Sequence, residues 1–319
     1  MALAALMLLA CAAGQASFQN GDFAAAQEQL WNCVAGGTQD RSVGFHLAST
    51  YRELRNYDSG LNKAAAILKN SPDNGDALYV AAFLNFRRGD TTRSMLLLSR
   101  ADHLDHNDWR LHQLFALNYS VFNMLGSAEL EFQRAIALNS GHAELHYQLA
   151  RLYFTQGRYA ESIQASNAAL AVFPDYPEVY ENLGLAYEGS GDPARASASF
   201  QRAVDLNEKL HRRDEWPLID YAMFHLQQGT PEASVPLLAR ALTFNSSSFK
   251  ANYEMGRATR SLNRDDEAQR YLEKALQLEP NDPSACFALA SVMKRKGNDR
   301  RAKELLARYQ VLRQQSNAR

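Results

Sequence analysis

Nine times along this chain a Gly or Ala returns at one spacing: Gly14, Ala48, Ala82, Ala116, Ala150, Gly184, Ala222, Gly256 and Ala290. Each step is 34 residues except the 38 between Gly184 and Ala222. Twelve residues behind runs a second small-residue series: Ala26, Gly60, Ser94, Ala128, Ser162, Ala196, Ser234, Ala268 and Ala302. Small residues at two fixed points of every unit predict pairs of helices crossing closely, stacked in sequence. A single catalytic domain does not repeat in this way.

Other columns of the same register predict the local structure. With residue 143 as position 1 of its unit, position 7 is mostly bulky, as in Leu47, Phe115, Leu149, Leu183 and Leu289. Position 11 holds Tyr51, Tyr119, Tyr153 and Tyr187. Spacings of 3 and 4 put these side chains on one face of a first helix. Position 15 is Gly or Asn in eight of the nine units, residues that tolerate the left-handed backbone ending a helix. A second apolar face follows, seen in Ala196, Phe200, Ala203, Val204 and Leu206. Pro72, Pro174 and Pro280 then stop that helix.

The run Tyr180, Leu183, Gly184, Tyr187, Gly191, Ala196, Phe200, Ala203 resembles the tetratricopeptide repeat column for column, as does Gly256, Ala268, Leu272, Ala275, Leu276, Pro280. The resemblance implies an all-α, right-handed superhelical solenoid of about nine helix–turn–helix units. The units are 7–40, 41–74, 75–108, 109–142, 143–176, 177–210, 215–248, 249–282 and 283–316. Repeats 1–6 thus span 7–210 and repeats 7–9 span 215–316, leaving a tail of 317–319. The insertion His211 to Asp214 is expected to lengthen the second helix of unit 6 by about one turn. Residues 298–319 read as the polar closing cap.

Composition fits a well-packed helical protein, with 46% hydrophobic and 22% charged residues. A formal net charge of −1 lacks the basic footprint of general nucleic-acid binding. Charge is uneven, however: 283–319 holds nine Lys/Arg against two Asp/Glu. That end reads as a solvated cap or as a patch for an anionic lipid or acidic partner.

Residues 1–16 admit several readings. Ala2 to Ala13 is a continuous apolar run, short for a membrane span but suited to a bacterial secretory signal. Gly14-Gln15-Ala16 offers small residues for signal cleavage, and Leu8-Leu9-Ala10-Cys11 resembles a lipobox that would make Cys11 a lipidation candidate. The first basic residue is Arg41, which speaks against export. The third reading makes 7–20 the first helix of unit 1. Export implies the cell envelope, periplasmic or anchored through the N-terminus; otherwise the expected location is cytoplasmic. The three cysteines, Cys11, Cys33 and Cys286, show no zinc spacing, and no disulfide framework is expected.

Chemistry is hard to find. His142 and His146 sit at i and i+4, but Ala143 occupies the place where a metalloprotease helix needs Glu. Asp102 to Asp108 is rich in ligand types yet falls in an ordinary inter-repeat turn. Without a phosphate loop, nucleophile elbow or CxxC, no enzyme, cofactor or metal is expected.

What remains is the groove. Positions 2, 5, 9, 12 and 13 face away from the packing stripe, and the resemblance implies that this side lines a concave surface where peptides or partner helices dock. It carries Tyr79, Phe83, Phe86 and Arg87 in unit 3, and Tyr147, Arg151 and Phe154 in unit 5. Unit 7 offers Trp216, Ile219, Met223 and Leu226 there, unless the insertion turns Trp216 into the core. Unit 8 offers Lys250, Tyr253, Arg257 and Arg260. Aromatics with Arg are typical anchors of protein interfaces. The opposing reading is that neighbouring turns cover them. The expected function is a non-catalytic scaffold or adaptor for a protein or peptide partner. The alternatives are a targeting or regulatory subunit of an enzyme or secretion complex, and a self-associating solenoid.

Overall fold

A computed structural model describes the backbone of residues 2–38 and 40–317, and the side chains of 11–38 and 40–315. Among the described residues there are eighteen α-helices and no strand. The chain divides into two compact units, residues 1–156 and 157–319.

The first unit holds α1 (Ala2–Gln19), α2 (Phe23–Ala35), α3 (Arg41–Leu54), α4 (Tyr57–Asn70), α5 (Gly75–Arg87), α6 (Thr91–Leu104), α7 (Trp109–Val121), α8 (Leu125–Leu138) and α9 (Ala143–Thr155). Capping explains where many of these begin. Asp22, Asp40, Asn74, Asp90 and Asp108 each accept a first-turn backbone N–H of the helix that follows. The turn inside each hairpin is set by one left-handed residue: Gly21, Gly89 and Asn123 at φ 77°, 84° and 57°. Arg55 takes the same conformation at φ 54° although its unit has no glycine there. The repeat, and not the residue, dictates that backbone.

The second unit holds α10 (Tyr159–Val172), α11 (Pro177–Gly189), α12 (Pro193–Lys209), α13 (Trp216–Gln227), α14 (Pro231–Phe244), α15 (Phe249–Ser261), α16 (Asp265–Leu278), α17 (Pro283–Arg295) and α18 (Asp299–Asn317). Helix α12 runs 17 residues against 14 for α14, so unit 6 does carry nearly an extra turn. His211, at φ 51°, then reverses the chain into the turn that precedes α13.

Close helix crossings follow from the small-residue series. At Gly184 an added Cβ would lie 2.6 Å from Phe200 Cε1, and at Gly256 it would lie 2.5 Å from Leu272 Cγ. Phe200 is fully buried, stacks on Tyr221 and packs against the tilted ring of Phe224, both of the next hairpin. The core of each unit is thus a stripe of Ala, Leu and aromatic side chains between consecutive helices.

Two expectations need correction here. Cys11 and Cys33 form a disulfide between α1 and α2, with Cα atoms 5.3 Å apart. Their separation of 22 residues matches no short motif; the antiparallel hairpin brings them together. A sulfur held in that bond is not available for the lipid thioether considered for Cys11. Cys286, in contrast, is a buried free thiol. The second correction is Ile219, expected on the groove side of unit 7 but fully buried; Trp216 of the same helix is 50% exposed, so the insertion does not turn it into the core.

Candidate partner-binding surfaces

In the first unit, the side chains expected to line the groove are carried by α5 and α9, the first helices of their hairpins. Their environments differ sharply. Tyr79 is only 3% exposed, because the Arg110 guanidinium lies over its ring, 4.9 Å from the centroid. This corrects the reading of Tyr79 as a free contact residue. Arg110 is itself held from three sides. Its Nη1 donates to Asp76 Oδ1 at 2.8 Å, and its Nε and Nη2 donate to Asp108 at 2.9 and 2.5 Å. Nη1 also donates to the Arg41 carbonyl, and Arg41 pairs with Asp105.

Burial works against charge on Arg110, but its hydrogen bonds to Asp108 and the negative charges of Asp76 and Asp108 outweigh it and raise its pKa. Burial also holds the Tyr79 hydroxyl well above its usual range. Beside this plug, Phe45 of α3 meets Trp109 at 5.6 Å and His142 at 5.7 Å between ring centres. His142 packs on Trp109 at 4.7 Å, while His146 Nε2 lies 3.0 Å from the Ser140 carbonyl. The two imidazoles therefore serve separate contacts.

Beyond the plug the surface opens. Phe83 and Phe86 are half-buried against the core, and Arg87 is exposed. Between α7, α8 and α9 lies a cavity of about 380 Å³, lined by Leu117, Leu125, Phe132, Leu152 and Arg151 among others. Arg151 is exposed and lies 5.7 Å from the centre of the Tyr147 ring. Tyr147 and Phe154 are half-buried. Leu117 and Phe132 escaped notice in the sequence, since both also fit the ordinary apolar pattern of a repeat.

The second unit presents a surface of mixed charge. Burial pushes Glu181 of α11 up to about 8, reinforced by Asp220, Glu178 and Asp214. Asp220 of α13 is pushed up to about 6, again chiefly by burial. Two hairpins on, the sign reverses. Glu254 of α15 is fully buried, ion-paired with Lys250 at 3.0 Å, and accepts a hydrogen bond from Arg257 at 2.7 Å. Arg257 lies 5.8 Å from the Tyr253 ring centre, and Tyr253 stacks on Phe249 at 5.9 Å. Burial, with the nearby charges of Arg295 and Arg257, lowers the pKa of Arg260. Much of the basic excess at the end of the chain is tied locally: Lys296 to Asp266 at 2.6 Å, Arg295 to Asp265, and Arg308 to the Pro280 carbonyl at 2.6 Å. Among the described residues, no group of three or more His, Cys, Asp or Glu is placed to hold a metal, and no helix is long and apolar enough to cross a membrane.

Comparison with known proteins agrees with this architecture. Tetratricopeptide repeat models match residues 45–108, 141–209, 181–249 and 262–319, together more than half of the chain. The chain belongs to the tetratricopeptide repeat family. Over 278 residues it is 22% identical to the CTR9 homolog of Arabidopsis thaliana, covering 74% of this chain and 25% of that protein. Over 123 residues it is 27% identical to the type IV pilus assembly protein PilF of Pseudomonas aeruginosa, covering 38% of this chain and 49% of the other. The chain therefore spans no more than about half the length of these curated relatives. Among solved structures, the APC/C hetero-tetramer Cut9-Hcn1 aligns with a TM-score of 0.70 at 13% identity, over 88% of this chain and 54% of that one. A Pseudomonas aeruginosa PilF structure aligns with a TM-score of 0.56 at 20% identity, over 66% and 94%. At these identities the structural likeness speaks for the fold.

Proposed function

We propose that this chain is a non-catalytic scaffold whose first unit holds a protein partner on the surface formed by Phe83, Phe86, Arg87, Tyr147, Arg151 and Phe154. The observation that carries this reading is the 380 Å³ cavity between α7, α8 and α9, with the exposed Arg151 at its edge. Aromatic and Leu side chains supply area for burial there, and the guanidinium supplies direction. Tyr253, Arg257 and Arg260 form a second, basic surface in the other unit. Membership of a repeat family whose members act as interaction modules supports a protein partner and gives no support to catalysis.

A second reading is that the chain is a subunit of a larger envelope machine. The 123-residue similarity to a type IV pilus assembly protein favours it. Residence in the cell envelope belongs to this reading.

Partner capture tests the scaffold. The partner is isolated on the wild-type protein, identified, and titrated against the Phe86→Ala/Arg151→Glu variant, whose helix content is checked first. Binding at least about tenfold weaker is expected. Unchanged affinity would overturn the assignment to the first unit and move attention to Tyr253 and Arg257.

A further inference from the structure

Helix α1 is tied into the first hairpin by more than apolar contact. Gly14 lets it approach so closely that a Cβ there would lie 2.9 Å from Leu30 Cδ2. Ser17 Oγ donates to Gln29 Oε1 at 3.0 Å, and Gln15 Nε2 donates to Ser42 Oγ at 2.6 Å and Asp40 Oδ2 at 2.9 Å. The Phe18 ring sits 4.9 Å from that of His46 on α3. Residues 11–19 therefore contact two further helices with specific polar and ring partners. Cleavage after Ala16 would take Gly14 from Leu30 and Cys11 from Cys33, both of which are fully buried.

The disulfide lies in register with this crossing. Cys11 is three residues before Gly14 and Cys33 three residues after Leu30, so each cysteine lies the same distance from the turn as its partner. Cys11 is 8% exposed and Cys33 is 0% exposed.

We infer that the folded protein keeps residues 11–19 as the outer helix of its first repeat and closes that repeat with a Cys11–Cys33 disulfide acquired in an oxidising compartment. Such bonds persist in the periplasm and outside the cell and are rare in a reducing cytosol. The oxidant is a donor disulfide of the thiol-exchange class. The Cys11 thiolate attacks one donor sulfur, forming a mixed disulfide and releasing the other donor sulfur as thiolate. The Cys33 thiolate then attacks Cys11 Sγ, forming the intramolecular bond and expelling the second donor thiolate. The donor leaves as a dithiol, carrying the two electrons, and takes up the two protons lost by Cys11 and Cys33. Once the hairpin closes, Cys33 is out of reach, so reduction proceeds through Cys11 or through local opening. The inference stands apart from the choice of partner surface.

The experiment uses the full chain equilibrated in glutathione buffers from fully reduced to fully oxidised, acid-quenched, unfolded and alkylated with a maleimide. One alkylation per chain, on Cys286, and a peptide linking Cys11 to Cys33 are expected in the oxidising buffers. Three alkylations throughout, or a link through Cys286, would overturn the inference. Melting supplies a second readout: in oxidising buffer the wild type should melt about 4 °C or more above the Cys11→Ala/Cys33→Ala variant, and the gap should close when reductant is added. A wild type indifferent to reductant would overturn the stapling role. Protein recovered from its own cell should still contain Cys11 in disulfide linkage; a chain beginning after Ala16, or a thioether on Cys11, would refute it.

Discussion

Gly184 and Phe200 meet where α11 and α12 cross, with room for a hydrogen and none for a methyl group: a Cβ on residue 184 would sit 2.6 Å from the Phe200 ring. The ring cannot retreat, because Tyr221 and Phe224 lie against it. Gly184→Leu should therefore overpack the crossing and cost about 1–3 kcal/mol. Thermal or urea unfolding checks this, and an unchanged midpoint would mean that the helices cross elsewhere.

Arg55 offers the opposite kind of change. It adopts a left-handed backbone where the equivalent residues of the other repeats are Gly or Asn. A side chain in that conformation costs roughly 1 kcal/mol relative to Gly. Arg55→Gly should raise stability by about that amount in a urea titration, despite making the unfolded chain more flexible.

Removing Arg110 should be among the most damaging substitutions in the first unit. Arg110→Met preserves much of the length of the side chain but leaves Asp76 and Asp108 buried without their cation. A loss of about 3–5 kcal/mol is expected from chemical denaturation. The partner-binding cavity lies on other helix segments, so any surviving folded fraction should keep its affinity.

The second unit should lose stability as the solution becomes more alkaline. Glu181 titrates near 4.5 in an unfolded chain and is pushed up to about 8 by burial and by Asp220, Glu178 and Asp214, with Arg212 opposing. Between those pH values the folded chain holds a proton that the unfolded chain has released. Stability therefore falls as pH rises across that window. Asp220, pushed up to about 6, adds to the lower part of the same slope. Melting curves from pH 5 to 8 should show the decline. Glu181→Gln should flatten it and melt higher than the wild type at pH 8.

The solenoid was legible because its physics repeats: a close crossing, a left-handed turn residue and two apolar stripes recur at one period. Even the lengthened α12 could be anticipated from four extra residues. The disulfide was less visible, although the register that pairs Gly14 with Leu30 also pairs Cys11 with Cys33. Recognising it needed the hairpin geometry as well as the cysteine spacing. For the candidate surface, helix periodicity placed Tyr79 on the right side of α5, but periodicity concerns one helix at a time. Arg110 arrives from the following hairpin and covers the ring, and that contact has no signature at any fixed spacing. Trp216, by contrast, keeps the outward side that its register implied, while Ile219, three residues on, is buried.

The contacts around Arg110 also alter how the first unit should come apart. Stacked repeats ordinarily touch only their neighbours, so such arrays can fray from an end, one unit after another. Here Phe45 of α3 reaches Trp109 of α7, and Arg110 of α7 reaches the Arg41 carbonyl at the start of α3, both past the intervening hairpin. Repeats 2, 3 and 4 are thereby coupled as a triangle and no longer as links of a chain. Loss of any one of them removes contacts from both others, so this segment should open as one cooperative block, with exchange of its amides rising together.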